Sequence, residues 1–234
     1  MARLPRLAVA GAPHLVVQRG DGVTPLFHDD TDRRHFMAAL SETARACGVE
    51  VHAYVLLDHE VRLLATPRDA GGLGLWMQRV GRRYVGPFNR RHGRVGALWA
   101  GRFQASVVDA RAHLLTCLRW IERAPVALGR VERAEDWPWS SAAHHTGSAP
   151  DALIREHGQR WTTGNTPFER DARHRLELLA PLTDAEERSL THALRGGWPL
   201  GGVEFANALV LAAPRPLAPR PRGRPRRVPA TPLV

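Results

Sequence analysis

The stretch YVLLDHEVRLLATP, residues 54–67, reads as two strands around a tight polar turn. Apolar and β-branched residues flank Asp58-His59 on both sides, the pattern of a hairpin with a face in a core. Within it, Glu60 and Arg62 stand at i and i+2 and so share one face of the second strand. His59 alternates with Val61 onto the other.

The neighbouring segments extend this pair into a sheet. HLVVQR (14–19) is a strand closed by GDG. TDRRHFMAALSETARACG (31–48) places Phe36, Leu40, Ala44 and Cys47 at helical spacing, with Thr31 and Asp32 as cap candidates and Gly48 as the stop. VEVHAYVLL (49–57) and VRLLATP (61–67) are the hairpin. Leu75, Gln78, Arg82 and Val85 then keep a helical spacing that Pro87 is expected to interrupt or kink. GRFQASVVD (101–109) is a fourth strand, and ARAHLLTCLRWIERAP (110–125) a helix that Pro125 should end. The order β-α-β-β-α-β-α is that of a ferredoxin-like split βαβ fold. Such a sheet is expected to carry helices on one face and leave the other open to an extended or hairpin polymer.

The predicted fold class is therefore α+β, a ferredoxin-like split βαβ sandwich over residues 1–145. A helical C-terminal extension follows over 146–211, with Thr183-Asp184-Ala185-Glu186 as the capping sequence of a helix from Asp184 to about Leu194. From 212 to 234 the composition collapses into proline and arginine, which predicts a disordered basic tail.

The chain has no lysine: its 33 permanently cationic side chains are all arginine, and the net charge is +10. Guanidinium groups grip phosphates with a planar fork of donors, so this surface suits nucleic acid; an anionic membrane or an acidic protein are the other partners for such charge. Cys47 and Cys117 lack the spacing of a zinc site or a disulfide framework and fall in apolar helical patterns, as buried free thiols do. Neither a secretory signal nor an apolar run of transmembrane length is visible, so a cytoplasmic location is expected.

Five blocks in order, HAYVLLDHEVRLLATP, RRYVGPFNRRHGRVGALWAGRFQASVVD, LLTCLRWIERAPV, EDWPWSS and a weaker RGGWPLGGVEFANAL, carry a resemblance to a known family. They resemble the IS200-like (REP-associated) tyrosine transposases of the HUH superfamily. The resemblance implies single-strand DNA transposition. In that family the third strand reads Asn-His-Val-His, whose two same-face imidazoles hold a divalent metal at the scissile phosphate. A tyrosine in Arg-Tyr-Ile-Glu-Leu-Asn-Pro-Val then attacks phosphorus.

This chain departs from the pattern at each chemical group. Glu60 and Arg62 occupy the histidine positions, His59 the asparagine position and Trp120 the tyrosine position. Glu122 matches the family glutamate, and Arg123-Ala124 replace Leu-Asn. Glutamate ligates Mg²⁺ or Mn²⁺ through oxygen, but a guanidinium offers no lone pair and an indole forms no phosphoryl ester. No intact catalytic residue is expected, and no cofactor, with Mg²⁺ or Mn²⁺ needed only if activity is retained. His52, His59 and Glu60 are weak candidates for a metal set. Glu60 and Arg62 are placed for a local ion pair, with Arg62 at the phosphate in the metal's stead; the alternative is that they only fill a disused cleft.

DNA-binding candidates are Arg62, Arg79, Arg82, Arg83, Tyr84, Arg90, Arg91, Arg102 and Trp120, arginines interleaved with aromatic stacking platforms. Arg222 and Arg224 flank a glycine in an AT-hook-like RGRP. The expected function is hairpin or single-stranded DNA binding without cleavage, as a monomer or homodimer. A transposase or nickase using a non-standard metal site, and an RNA-binding or protein-interaction module, are the alternatives.

Overall fold

The computed structural model describes residues 5–213 and 215–218. Four antiparallel strands, β1 (His14–Arg19), β2 (Val49–Leu56), β3 (Glu60–Pro67) and β4 (Gln104–Val107), form a sheet in the order β2-β3-β1-β4. Helices α1 (Asp30–Ala46) and α2 (Gly72–Arg91) supply the two split crossovers, and α3 (Ala110–Glu122) follows β4. This is the expected ferredoxin-like order. Then come α4 (Ala124–Ala127), α5 (Ala142–His145), α6 (Pro167–Leu179), α7 (Asp184–Gly196) and α8 (Val203–Ala208).

Local chemistry explains most boundaries. Asp29, rather than Thr31 or Asp32, caps α1: its carboxylate accepts from the Asp32 N–H at 3.1 Å. Gly48, at φ +61°, turns the chain from α1 into β2. Thr183 and Glu186 form the expected capping box of α7, and Thr166 with Glu169 forms a second on α6. Helix α2 runs unbroken through Pro87, so the expected interruption does not occur. Pro125 lies in the first turn of α4, where its missing N–H costs no helical bond.

Strand alternation builds two cores. Val61, Leu63 and Ala65 of β3 face α1 and α2, where Phe36, Leu40, Trp76, Tyr84 and Phe88 are buried. Leu15, Val17, Val55 and Leu64 face the other way. The open second face expected from sequence is not open: Leu114, Cys117, Leu118 and Ile121 of α3 and Leu190, Ala193 and Leu194 of α7 cover it. Apolar side chains on that face of the sheet would otherwise be in water, at about 25 cal/mol per Å². Both sheet edges are also covered. The Arg155 N–H donates to the Val51 oxygen at 2.8 Å, and the Leu200 N–H to the Val107 oxygen at 2.8 Å. The first residues of the expected tail pack as well. Ala213 and Leu217 lie against Leu7, Val107 and Leu209, and the Arg215 guanidinium lies 5.3 Å from the Trp198 ring centre. No helix among the described residues is long and apolar enough to cross a membrane.

Candidate functional site

The alternation that buries Val61 and Leu63 turns Glu60 and Arg62 toward α3. There they meet Trp120. Arg62 Nε donates to Glu60 Oε1 at 2.6 Å, and Arg62 Nη1 to the Trp120 carbonyl at 3.1 Å. The guanidinium carbon is 3.8 Å from the Trp120 ring centre, a cation–π contact. The expected ion pair is thus present, and Trp120, 58 positions away from Arg62, is brought onto it. Arg19, paired with Glu60 in the β1–β3 register, donates to Glu60 Oε2 at 3.0 Å and to Gln104 Oε1 at 2.8 Å. Sequence reading missed Arg19 and Gln104, although antiparallel pairing of β1 with β3 would have placed Arg19 opposite Glu60.

Glu60 and Arg62 side chains are 17% and 16% exposed. Burial pushes the Glu60 carboxyl up, but the Arg62 and Arg19 guanidiniums outweigh it and hold the group below its ordinary value. The cluster sets two guanidiniums around Glu60, with Glu187 of α7 also acting on Arg62. It opens on a cleft of about 550 Å³ lined by Arg19, His59, Glu60, Arg62, Arg130 and Trp137 among others. Asp58 at its rim is neutralised by Arg33 at 3.2 Å and Arg130 at 2.6 Å.

The donor set does not fit a divalent cation. Glu60 is the one ligand in the cluster, and both its oxygens are bonded to guanidiniums. The His52, His59 and Glu60 set is not assembled. His52 is at the far end of the hairpin, where Nδ1 meets the Arg155 oxygen at 2.6 Å and Nε2 meets Thr66 Oγ1 at 2.8 Å. His59 is exposed at the turn. Nor does a phenol reach the cleft. Tyr54 donates to Asp151 Oδ2 at 2.7 Å and Tyr84 to the Leu26 carbonyl; both belong to the core on the α1/α2 face. Burial pushes both hydroxyls above their ordinary values.

The arginines divide into two groups. Arg83 pairs with Glu42, and Arg91 holds Asp29 and Asp32 at 2.5 Å each, tying the end of α2 to the start of α1. Arg79, Arg82, Arg90 and Arg102 are exposed and make no ion pair among the described residues. Arg82 and Arg102 flank a groove of about 650 Å³ between α2 and the loop before β4, with Gln78 and Arg6 beside them.

The aromatic platforms expected between these arginines are not at the surface. Tyr84, Phe88 and Phe103 are 2%, 2% and 9% exposed. Trp99 packs half-buried on the same core. Tyr84 is therefore a core residue, and its assignment to DNA is corrected. The helical period carried the signal: Trp76, Val80, Tyr84 and Phe88 recur every fourth residue. Arg222 and Arg224 lie outside the described residues.

Neither a family model nor a curated protein matches the chain. Among solved structures, a REP-associated tyrosine transposase bound to a REP hairpin superposes with a TM-score of 0.54 at 17% identity, over 68% of this chain and 93% of that one. The chain has the fold of a REP-associated tyrosine transposase. A second structure, described as a transposase candidate of Deinococcus radiodurans R1, covers 50% of this chain and 92% of its own at 18% identity, with a TM-score of 0.35. In the transposase fold adopted here, the Glu60–Arg62–Trp120 cluster lies where β3 meets α3.

Proposed function

We propose that this chain binds hairpin or single-stranded DNA on a transposase fold and does not cut it. The observation that carries the reading is Arg62, held by Glu60 and Trp120 at a cleft where, among the described residues, no set of three metal ligands converges and no phenol reaches. By the resemblance of the five sequence blocks, this is where an IS200-like enzyme holds two imidazoles and its nucleophile. A fixed guanidinium keeps affinity for a phosphate and supplies neither Lewis acid nor nucleophile. Arg79, Arg82 and Arg90 of α2, with Arg102 on the loop before β4, support a phosphate track. The solved transposase of the same fold is bound to a REP hairpin, which makes a DNA hairpin the first ligand to try.

The test is one titration and one gel. A labelled DNA hairpin is titrated by anisotropy, with an RNA hairpin of the same sequence as competitor. It is then incubated with Mg²⁺ or Mn²⁺ and run under denaturing conditions. DNA-selective binding with intact oligonucleotide is expected. A covalent protein–DNA adduct or a cleaved strand overturns the inactive reading, and preferential RNA binding overturns the DNA reading.

A further inference from the structure

A second cluster begins two residues beyond Trp120 on α3 and has no part in the DNA reading. Glu122 at the end of α3 is fully buried, at 0% exposure, and so are His145 of α5 and His174 of α6 at 1% and 3%. His145 Nδ1 is 2.5 Å from Glu122 Oε1, and His174 Nε2 is 2.5 Å from Glu122 Oε2. Ser141 Oγ donates to Glu122 Oε1 at 2.5 Å. The carboxylate and the two ring nitrogens all lie within 4.8 Å of one another.

A buried carboxylate must be neutralised. Arg160, which reaches the His145 carbonyl, is 2% exposed and holds two other carboxylates, with its Nη1 unbonded among the described residues. Its Nε bonds Glu156 at 3.1 Å, and its Nη2 bonds Asp171 at 2.9 Å and the His145 carbonyl at 3.3 Å. Glu156 and Asp171 reach solvent, with side chains 29% and 26% exposed, so Glu122 is the carboxylate of this network that burial leaves to be neutralised. Only the two imidazoles and the Ser141 hydroxyl are bonded to it among the described residues, an arrangement that a cation held by the rings and the carboxylate would complete.

We propose that Glu122, His145 and His174 form a structural site for a divalent transition-metal ion, zinc by its chemistry. Two imidazole nitrogens and a carboxylate are a borderline donor set that suits zinc more than Mg²⁺ or Ca²⁺. Metal–ligand bonds of about 2.0–2.2 Å put donors of one ion about 3–4 Å apart, so the two hydrogen bonds need to open by less than roughly 1.5 Å. On binding, the N–H protons that face Glu122 leave: each neutral ring moves its proton to its other nitrogen, and an imidazolium releases one to solvent. The site's ligands are buried and come from three helices, with Ser141 Oγ, 2.5 Å from Glu122, at hand for the fourth position, so its role is a clasp. It joins α3, α5 and α6, and through them fastens the C-terminal helices to the sheet domain.

The test measures metal on the whole chain. Protein expressed in zinc-supplemented medium and desalted is analysed by mass spectrometry for bound metal. It is also unfolded, freed of metal, refolded with Co²⁺ and scanned in the visible. Wild type is expected to carry about one zinc per chain, to show an intense tetrahedral Co²⁺ band, and to melt several degrees lower after chelation. Glu122→Gln and His174→Gln should each lose the metal and the band. If either variant fails to fold, the other and the wild-type chelation experiment decide. Metal-free wild type that takes up neither ion on refolding, with a melting temperature indifferent to chelator, overturns the site and leaves a proton-shared clasp. Retention of the Co²⁺ band in a folded Glu122→Gln protein also overturns it.

Discussion

Arg62 of β3 and Trp120 of α3 are joined twice: the guanidinium carbon is 3.8 Å from the indole ring centre, and Nη1 donates to the Trp120 carbonyl at 3.1 Å. With Glu60 on its Nε, this arginine is held in one geometry at the edge of the cleft. A side chain already fixed loses little entropy when a phosphate arrives.

Arg62→Ala is therefore expected to weaken hairpin binding by about 1.5–3 kcal/mol, the value of one charge-assisted contact, or roughly 10- to 150-fold. Anisotropy titration at fixed salt checks it. Unchanged affinity in a folded variant would favour a cleft that is merely filled.

Arg82→Gln with Arg102→Gln should flatten the dependence of log affinity on log salt by roughly 1.4–1.8, two phosphate contacts at about 0.7–0.9 each. Tyr84→Phe should leave that slope alone. Its hydroxyl is buried on the Leu26 carbonyl, so the loss appears as about 1 kcal/mol of stability. A slope altered by Tyr84→Phe contradicts its placement in the core.

Acid sensitivity follows from His14 and His52, both buried and held neutral. Nε2 of His14 accepts from the Val9 N–H at 3.2 Å, which a protonated ring could not do. Burial pushes both rings down to about 4. In the unfolded chain they take a proton near 6.5. Between those values the unfolded state binds more protons, so stability is full above about pH 6.5, falls as pH is lowered, and levels off below about 4. Each contributes up to about 3 kcal/mol over the window. Urea unfolding at pH 7 and pH 5 should show the loss, and His14→Gln should show a smaller one. Equal pH dependence of the two proteins would mean that His14 is not held neutral.

The parts of this fold visible in sequence are those set by local chemistry. The hairpin at Asp58-His59 follows from alternation, the start of α7 from the Thr183/Glu186 box, and the Glu60–Arg62 pair from the two-residue strand period. What escaped depends on packing at long range. The apolar face of α7 is plain in Leu190, Ala193 and Leu194, but nothing in its spacing says that it docks on the sheet beside α3. Tyr84 and Phe88 were hidden by the arginines around them, whose exposed positions interleave with the buried ones on a single helix. Glu122, His145 and His174 are 23 and 52 positions apart and form no motif. Only the convergence of three helices brings them together.

The last prediction concerns restoration of the cleft. Glu60 and Arg62 point to one side of β3, and Trp120 approaches from α3. If these are the positions of two ligands and a nucleophile, Arg62→His alone should restore nothing. One imidazole beside Glu60 makes a poor site, and Arg19 still claims the Glu60 carboxylate. The triple change Glu60→His, Arg62→His, Trp120→Tyr removes the carboxylate, the competing guanidinium and the indole together. It supplies two same-face imidazoles and a phenol. Mn²⁺ binding should return first, as one further equivalent over the unmodified protein by calorimetry. A phosphotyrosine adduct on a hairpin requires more, because such chemistry needs atoms placed to within about an ångström. A folded triple variant that binds no additional Mn²⁺ would show that β3 and α3 do not present these three positions in the register inferred here. Mn²⁺ binding without an adduct would place the shortfall in alignment of the phenol.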